Sequence, residues 1–130
     1  MSIEFYQNNA DEFFTGTVNV DMTNIYQRFI KNIPPNALIL DAGCGSGRDS
    51  KAFIEMGYQV DAFDASSELV ERASNYTGLD VRLALFDDVT AIEQYDAIWC
   101  CASLLHVPEA ELRNTLDKLA KALKFAGTWY

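Results

Sequence analysis

The sequence predicts an α/β fold in which a parallel sheet is doubly wound between helices, giving three layers. Two observations lead there. Short apolar runs alternate with stretches whose apolar residues recur at helical spacing. The first apolar run passes straight into Gly43-Cys44-Gly45-Ser46-Gly47, a turn in which glycine lets the backbone fold tightly and lets a ligand lie against bare peptide. With 130 residues and no internal repeat, low-complexity segment or linker, the chain holds one domain, residues 1–130.

The elements follow in order. Residues 7–15 are polar around Phe13 and Phe14 and form a short helix or an arm. Asp21 is placed to cap a helix whose stripe is Met22, Ile25, Tyr26, Phe29, Ile30 and Ile33, and Pro34 and Pro35 end it. Residues 37–42 form the first strand, and residues 48–56 a helix closed by Gly57. Residues 58–63 form the second strand. Ser66 or Ser67 caps the next helix, which runs to about Asn75 with Leu69, Val70 and Ala73 inward. Residues 79–86 form the third strand and 95–100 the fourth. Pro108 opens a long helix over 109–125, striped by Leu112, Leu116, Leu119, Ala120 and Leu123 and ended by Gly127. Thr128-Trp129-Tyr130 starts a fifth strand.

Composition narrows the partners. The formal charge of −9 disfavours nucleic acid, whose binding rests on Lys and Arg contacts to phosphate, and it disfavours anionic membranes. No apolar run approaches the ~20 residues of a membrane-spanning helix. Cys44, Cys100 and Cys101 are odd in number and lack CxxC spacing, so they are expected as free thiols in a reducing, cytoplasmic compartment. With one histidine beside them, a zinc site is not expected. A small-molecule partner remains.

In a doubly wound sheet, ligands bind beyond the carboxyl ends of the strands, so the loops there carry the candidate site. The turn reads G-x-G-x-G. A dinucleotide fingerprint reads G-x-G-x-x-G, and a phosphate loop carries a Lys that is missing here. Asp41 precedes the first glycine and would repel a pyrophosphate. It suits a cationic ligand, held directly or through water and backbone groups. S-adenosylmethionine has a sulfonium, an ammonium and no phosphate, whereas a nicotinamide cofactor fits neither the spacing nor the acid.

Asp64 follows the second strand, seventeen residues past Gly47, near the spacing at which an acid accepts both ribose hydroxyls; the alternative role is a helix cap. After the third strand, Phe86 offers an apolar face and Asp87 an acceptor, a pair suited to adenine, while Asp88 reads equally as a solvated loop acid. Arg48 stands in a helix first turn, where the dipole disfavours a cation; it either binds a carboxylate of the ligand or is a surface residue. His106 is either a general base or a structural residue at a strand–helix junction.

The stretch Leu40-Asp41-Ala42-Gly43-Cys44-Gly45-Ser46-Gly47 resembles the first motif of class I S-adenosylmethionine-dependent methyltransferases. The run Val60-Asp61-Ala62-Phe63-Asp64-Ala65-Ser66 is similar to their second-strand motif, and the run from Tyr95 to Pro108 to their fourth-strand motif. Gly-Arg-Asp-Ser and Ala-Ser-Leu-Leu-His-Val-Pro resemble a bacterial subgroup labelled tellurite-resistance-like.

The resemblance implies a Rossmann-like sheet in the order 3-2-1-4-5, with residues 34–130 as its core and 1–33 as a helical lid. It implies methyl transfer by in-line displacement to a small-molecule acceptor, with S-adenosylhomocysteine as product. The turn from Gly43 through Cys44 and Gly45 to Gly47 would carry the methionine part, and Asp64 with Ala65 the ribose. Phe86 and Asp87 would hold adenine, the Cys101 region the amino-acid end, and Tyr6 would close over the cofactor. Such enzymes usually carry two more strands after the fifth. The open edge this leaves is expected to pair with a second copy, and a cofactor-binding or oligomerising protein without catalysis is the alternative function.

Overall fold

Five parallel strands lie in the order β3-β2-β1-β4-β5 in the computed structural model, which describes residues 22–100 and 107–129. The expected arm, residues 1–21 of the expected 1–33 lid and the Asp21 cap lie outside the described residues. So do Tyr6, Cys101 and His106.

Helix α1 spans Thr23–Ile30, β1 Leu38–Ala42, α2 Arg48–Glu55, β2 Gln59–Asp64 and α3 Ser67–Thr77. Strand β3 is Arg82–Leu83, followed by a single 3₁₀ turn at Phe86–Asp88. Then come β4 at Tyr95–Trp99, α4 at Glu109–Ala122 and β5 at Leu123–Trp129. Strand β1 is central, pairing Asp41 with Ala62 of β2 on one side and with Trp99 of β4 on the other.

The strand order explains the layers. The chain moves outward from β1 to β2 to β3 and then returns to β4 on the far side of β1. Right-handed crossovers therefore put α2 and α3 on one face and α4 on the other. The core agrees with this. Ile39 of β1 packs with Phe53 of α2, with Trp99, and with Tyr26 and Phe29 of α1. Leu40 and Ala42, pointing the opposite way, pack with Phe63, Ile98 and with Leu119 of α4. The ring centroids of Phe29 and Trp99 lie 4.8 Å apart and those of Phe53 and Trp99 5.2 Å, both edge-on. This aromatic knot, with Trp99 and Phe53 fully buried, fastens α1 to the sheet. The reversal of direction between β1 and β4 is the place where such sheets bind ligands.

Three elements differ from the sequence pattern. Helix α1 ends at Ile30 although its apolar stripe continues to Ile33, because the residue before Pro34 is driven out of helical conformation; Ile33 is buried all the same. Strand β3 has two residues where the pattern suggests eight. It is an edge strand whose only sheet neighbour among the described residues is β2, and the backbone N–H of Leu85 turns to the Asp88 carboxylate at 2.8 Å, beginning the 3₁₀ turn. Helix α4 ends at Ala122, not Phe125, and Gly127 lies inside β5. The carbonyls of Lys121 and Ala122 accept from the backbone N–H groups of Glu93 and Gln94, at 2.7 and 2.9 Å, which draws the chain into the sheet there. Strand β5 forms the edge expected to pair with a second copy. No helix among the described residues is long and apolar enough to cross a membrane.

Candidate cofactor site

The carboxyl ends of β1 and β2 are sewn together by backbone and by one carboxylate. The N–H groups of Gly43 and Cys44 both donate to the carbonyl of Phe63, at 3.0 and 2.9 Å. Beyond them, the N–H of Gly45 donates to Asp64 Oδ2 at 2.7 Å, and that of Ser66 donates to Asp64 Oδ1 at 3.0 Å. Gly43, Gly45 and Gly47 all have positive φ, so the turn follows a path that side-chain-bearing residues rarely adopt. Asp64 does not cap α3. Ser66 does, accepting from Leu69 N–H at 3.4 Å. The acid is placed instead at the strand tip, against the glycine turn, with Ala65 half-buried beside it.

Gly47 has a second reason to be glycine. A Cβ there would lie 2.9 Å from Thr77 Cγ2 and 3.3 Å from the Cα of Ala73, at φ +85°. Close packing of α2 on α3 therefore requires the bare backbone. Gly47→Ala is expected to lose about 2 to 4 kcal/mol of stability, from left-handed strain plus overpacking. Urea unfolding measures this. Thr77→Ser in the same chain should restore only the packing part, and full restoration would show that the backbone strain is absent.

Asp41 lies beneath the turn with 1 % of its surface exposed, and its carboxylate accepts from Ser50 Oγ at 2.6 Å. Burial pushes its pKa up to about 8, and the nearby carboxylates of Asp49 and Asp64 add to this; the Ser50 hydrogen bond and Arg48 oppose it. The acid ahead of the glycines thus faces inward, and its influence on a ligand passes through its field and the backbone. Burial also raises the Cys44 thiol well above its usual range, so it packs as a small apolar group. The Arg48 guanidinium lies on Asp49, with Nε 2.8 Å from Oδ1 and Nη2 3.1 Å from Oδ2.

The far end of the expected site is less tightly built. Phe86 is half-buried and meets Phe63 edge-on at 5.6 Å. Asp87 is exposed, and its carboxylate pairs with Lys118 of α4 at 3.3 Å. A cleft of about 200 Å³ opens on the α4 face among Leu40, Phe63, Arg82, Leu85 and Tyr95. Its polar groups are turned on one another. Arg82 Nη2 donates to Asp61 at 3.0 Å, and the Tyr95 hydroxyl donates to the same carboxylate.

Around the glycine turn, then, stand the Asp64 carboxylate, the Asp49 carboxylate paired with the Arg48 guanidinium, and the buried Asp41 carboxyl, which burial keeps protonated near neutral pH. The field suits a cation and opposes a pyrophosphate. The strand-tip carboxylate suits a diol. This donor set fits S-adenosylmethionine. The sequence pattern missed Asp49, together with Ser50, Tyr26 and Trp99, which surround it and Asp41. Gly-Arg-Asp-Ser was the available signal, yet an acid in a helix first turn is ordinary for electrostatic reasons alone.

Known proteins resemble the chain in sequence and in fold. A ubiquinone biosynthesis O-methyltransferase of Xanthomonas campestris is 37% identical over 103 residues, covering 74% of this chain and 42% of that protein. One from Xylella fastidiosa is 34% identical over 105 residues, covering 75% and 42%. The chain therefore spans under half the length of these curated relatives. Among solved structures, a TehB-like SAM-dependent methyltransferase from Corynebacterium glutamicum superposes with a TM-score of 0.72 at 22% identity, covering 96% of this chain and 68% of that one. The magnesium protoporphyrin IX methyltransferase of Synechocystis, solved with bound SAM, gives 0.65 at 21% identity, covering 91% and 54%. These two share the fold. The methyltransferase-domain family profile matches residues 39–127, and the chain belongs to that family.

Proposed function

We propose that the chain binds S-adenosylmethionine at the glycine turn and transfers its methyl group to a small organic acceptor carrying a hydroxyl. The observation that carries this is the negatively charged, bare-peptide turn with the Asp64 carboxylate held at its lip by Gly45 and Ser66. The names of the curated relatives support an oxygen acceptor. When bound, the cofactor supplies an activated methyl on a sulfonium.

This chain's residues do the rest by positioning. Asp64 accepts the ribose hydroxyls, since each carboxylate oxygen can accept more than one hydrogen bond. Gly43 and Gly45 let the methionine part lie against the turn. Arg48 offsets the cofactor's carboxylate within the acidic surroundings, and Phe86 with Asp87 borders the adenine. Tyr6, Cys101 and His106 complete the reading as lid, amino-acid contact and acceptor base.

Calorimetry with S-adenosylmethionine, S-adenosylhomocysteine and NAD tests the binding, and S-adenosylhomocysteine formation with small phenols tests the transfer. Binding of the first two and turnover with a phenol are expected. Binding of NAD alone would overturn the reading. Cofactor binding without turnover on any acceptor would establish a cofactor-binding protein, the second reading.

A further inference from the structure

We infer that Asp49 is a positioning residue that couples the docking of α1 to the shape of the glycine turn. Asp49 is the second residue of α2, two positions after Gly47, and it is 6 % exposed. Its Oδ1 accepts from the Tyr26 hydroxyl and from Arg48 Nε at 2.8 Å. Its Oδ2 accepts from Trp99 Nε1 at 2.8 Å and from Arg48 Nη2 at 3.1 Å. Four donors use about the whole accepting capacity of a carboxylate. Asp49 is therefore occupied inside the protein and is not itself a ligand contact.

The donors come from three places. Tyr26 belongs to α1, Arg48 to the start of α2, and Trp99 is the last residue of β4. An acid placed only to complement a helix dipole would sit in solvent and need no such partners. Here it draws a tyrosine 23 residues before it and a tryptophan 50 residues after it onto one buried point. Bonds to a carboxylate are stronger than neutral ones, and a donor removed from a buried carboxylate leaves its charge less compensated. Moving α1 away from the sheet therefore disturbs the first turn of α2, and with it the path from Gly43 to Gly47. The link is reciprocal: whatever orders the turn also holds α1 in place.

The consequence for ligand affinity rests on the S-adenosylmethionine reading above; the structural coupling does not. Tyr26→Phe deletes one hydroxyl and keeps the ring among Phe53 and Trp99. Trp99→Phe deletes the indole donor from the other side. Leu119→Ala, on the opposite face of the sheet, serves as a control that lowers stability without touching Asp49. Amide hydrogen exchange is measured on each unliganded protein, and S-adenosylhomocysteine affinity by calorimetry.

Both hub variants are expected to exchange faster in α1 and across residues 43–50 together, and to bind about fivefold more weakly. Leu119→Ala is expected to do neither selectively. Faster exchange in α1 with residues 43–50 unchanged would overturn the coupling, as would equal effects from the control. A wild-type chain that binds no S-adenosylhomocysteine would refute the cofactor reading, while the exchange experiment would still decide the coupling.

Discussion

Asp64→Ala is expected to weaken S-adenosylmethionine and S-adenosylhomocysteine binding about a hundredfold, a loss of roughly 3 kcal/mol. Two effects combine. The ribose loses a charged acceptor, and hydrogen bonds to charged groups are worth about 1.5 to 3 kcal/mol each. The N–H groups of Gly45 and Ser66 also lose their shared anchor, so the turn is less well ordered before the ligand arrives. Asp64→Asn separates these. Asn keeps one acceptor oxygen but presents an amide NH2 to one of the two N–H donors, so an intermediate loss is expected. A 2′-deoxyribose analogue isolates the ribose contribution. It should bind more weakly than the natural ligand to wild type and equally to Asp64→Ala, because the two changes remove one interaction. Unchanged affinity in Asp64→Ala would remove the residue from the site.

What was legible in the sequence was whatever depends on near neighbours. Strands β1, β2 and β4 are apolar runs of strand length bounded by glycine, acid or polar residues, and each was placed to within about a residue. The glycine turn follows from composition alone. The end of α4 was not legible, because Leu123 extends the helical stripe as well as it begins a strand; the backbone N–H groups of Glu93 and Gln94, just before the neighbouring strand β4, decide the matter. The length of β3 was misread for a related reason. Alternation continues past Leu83, but the neighbouring strand β2 ends at Asp64, whose carbonyl accepts from the Ala84 N–H, and the Leu85 N–H is taken by the Asp88 carboxylate.

The site divides in the same way. Asp64 and the three glycines are positions whose place beyond the sheet follows from being at the end of a strand. Asp49 could not be singled out, since the tyrosine and tryptophan that make it a hub lie far off along the chain. Asp41 was visible as an acid in front of the turn. That Ser50 holds it in the interior, nine residues on, depends on the way α2 folds back over β1.

The burial of Asp41 gives a large expected pH effect. Its folded pKa, raised to about 8 from an unfolded 3.8, means that the native state holds a proton that the unfolded state has already lost between those two values. Stability is therefore full below the unfolded pKa and falls as pH rises toward the folded one, by up to about 1.4 kcal/mol per pH unit from this group. Asp96 works in the opposite direction. The Leu38 N–H and Lys124 lower its pKa, so its contribution is present above its unfolded pKa and is lost only as pH falls through the folded value, in the acid range. Urea unfolding of the unliganded chain from pH 5 to pH 8 should thus show declining stability. Asp41→Asn, which can keep a hydrogen bond to Ser50, should flatten that decline and be the more stable protein at pH 8. A cationic ligand reverses the preference, since its charge favours the carboxylate form of Asp41. S-adenosylmethionine should bind more tightly as pH rises toward 8 and release a fraction of a proton, visible as a dependence of the binding heat on buffer ionisation. S-adenosylhomocysteine, without the sulfonium, should show less of both. A flat stability profile in wild type, or one that Asp41→Asn leaves unchanged, would show that Asp41 keeps its charge in the fold across this range, in which case cofactor binding should release no proton from it.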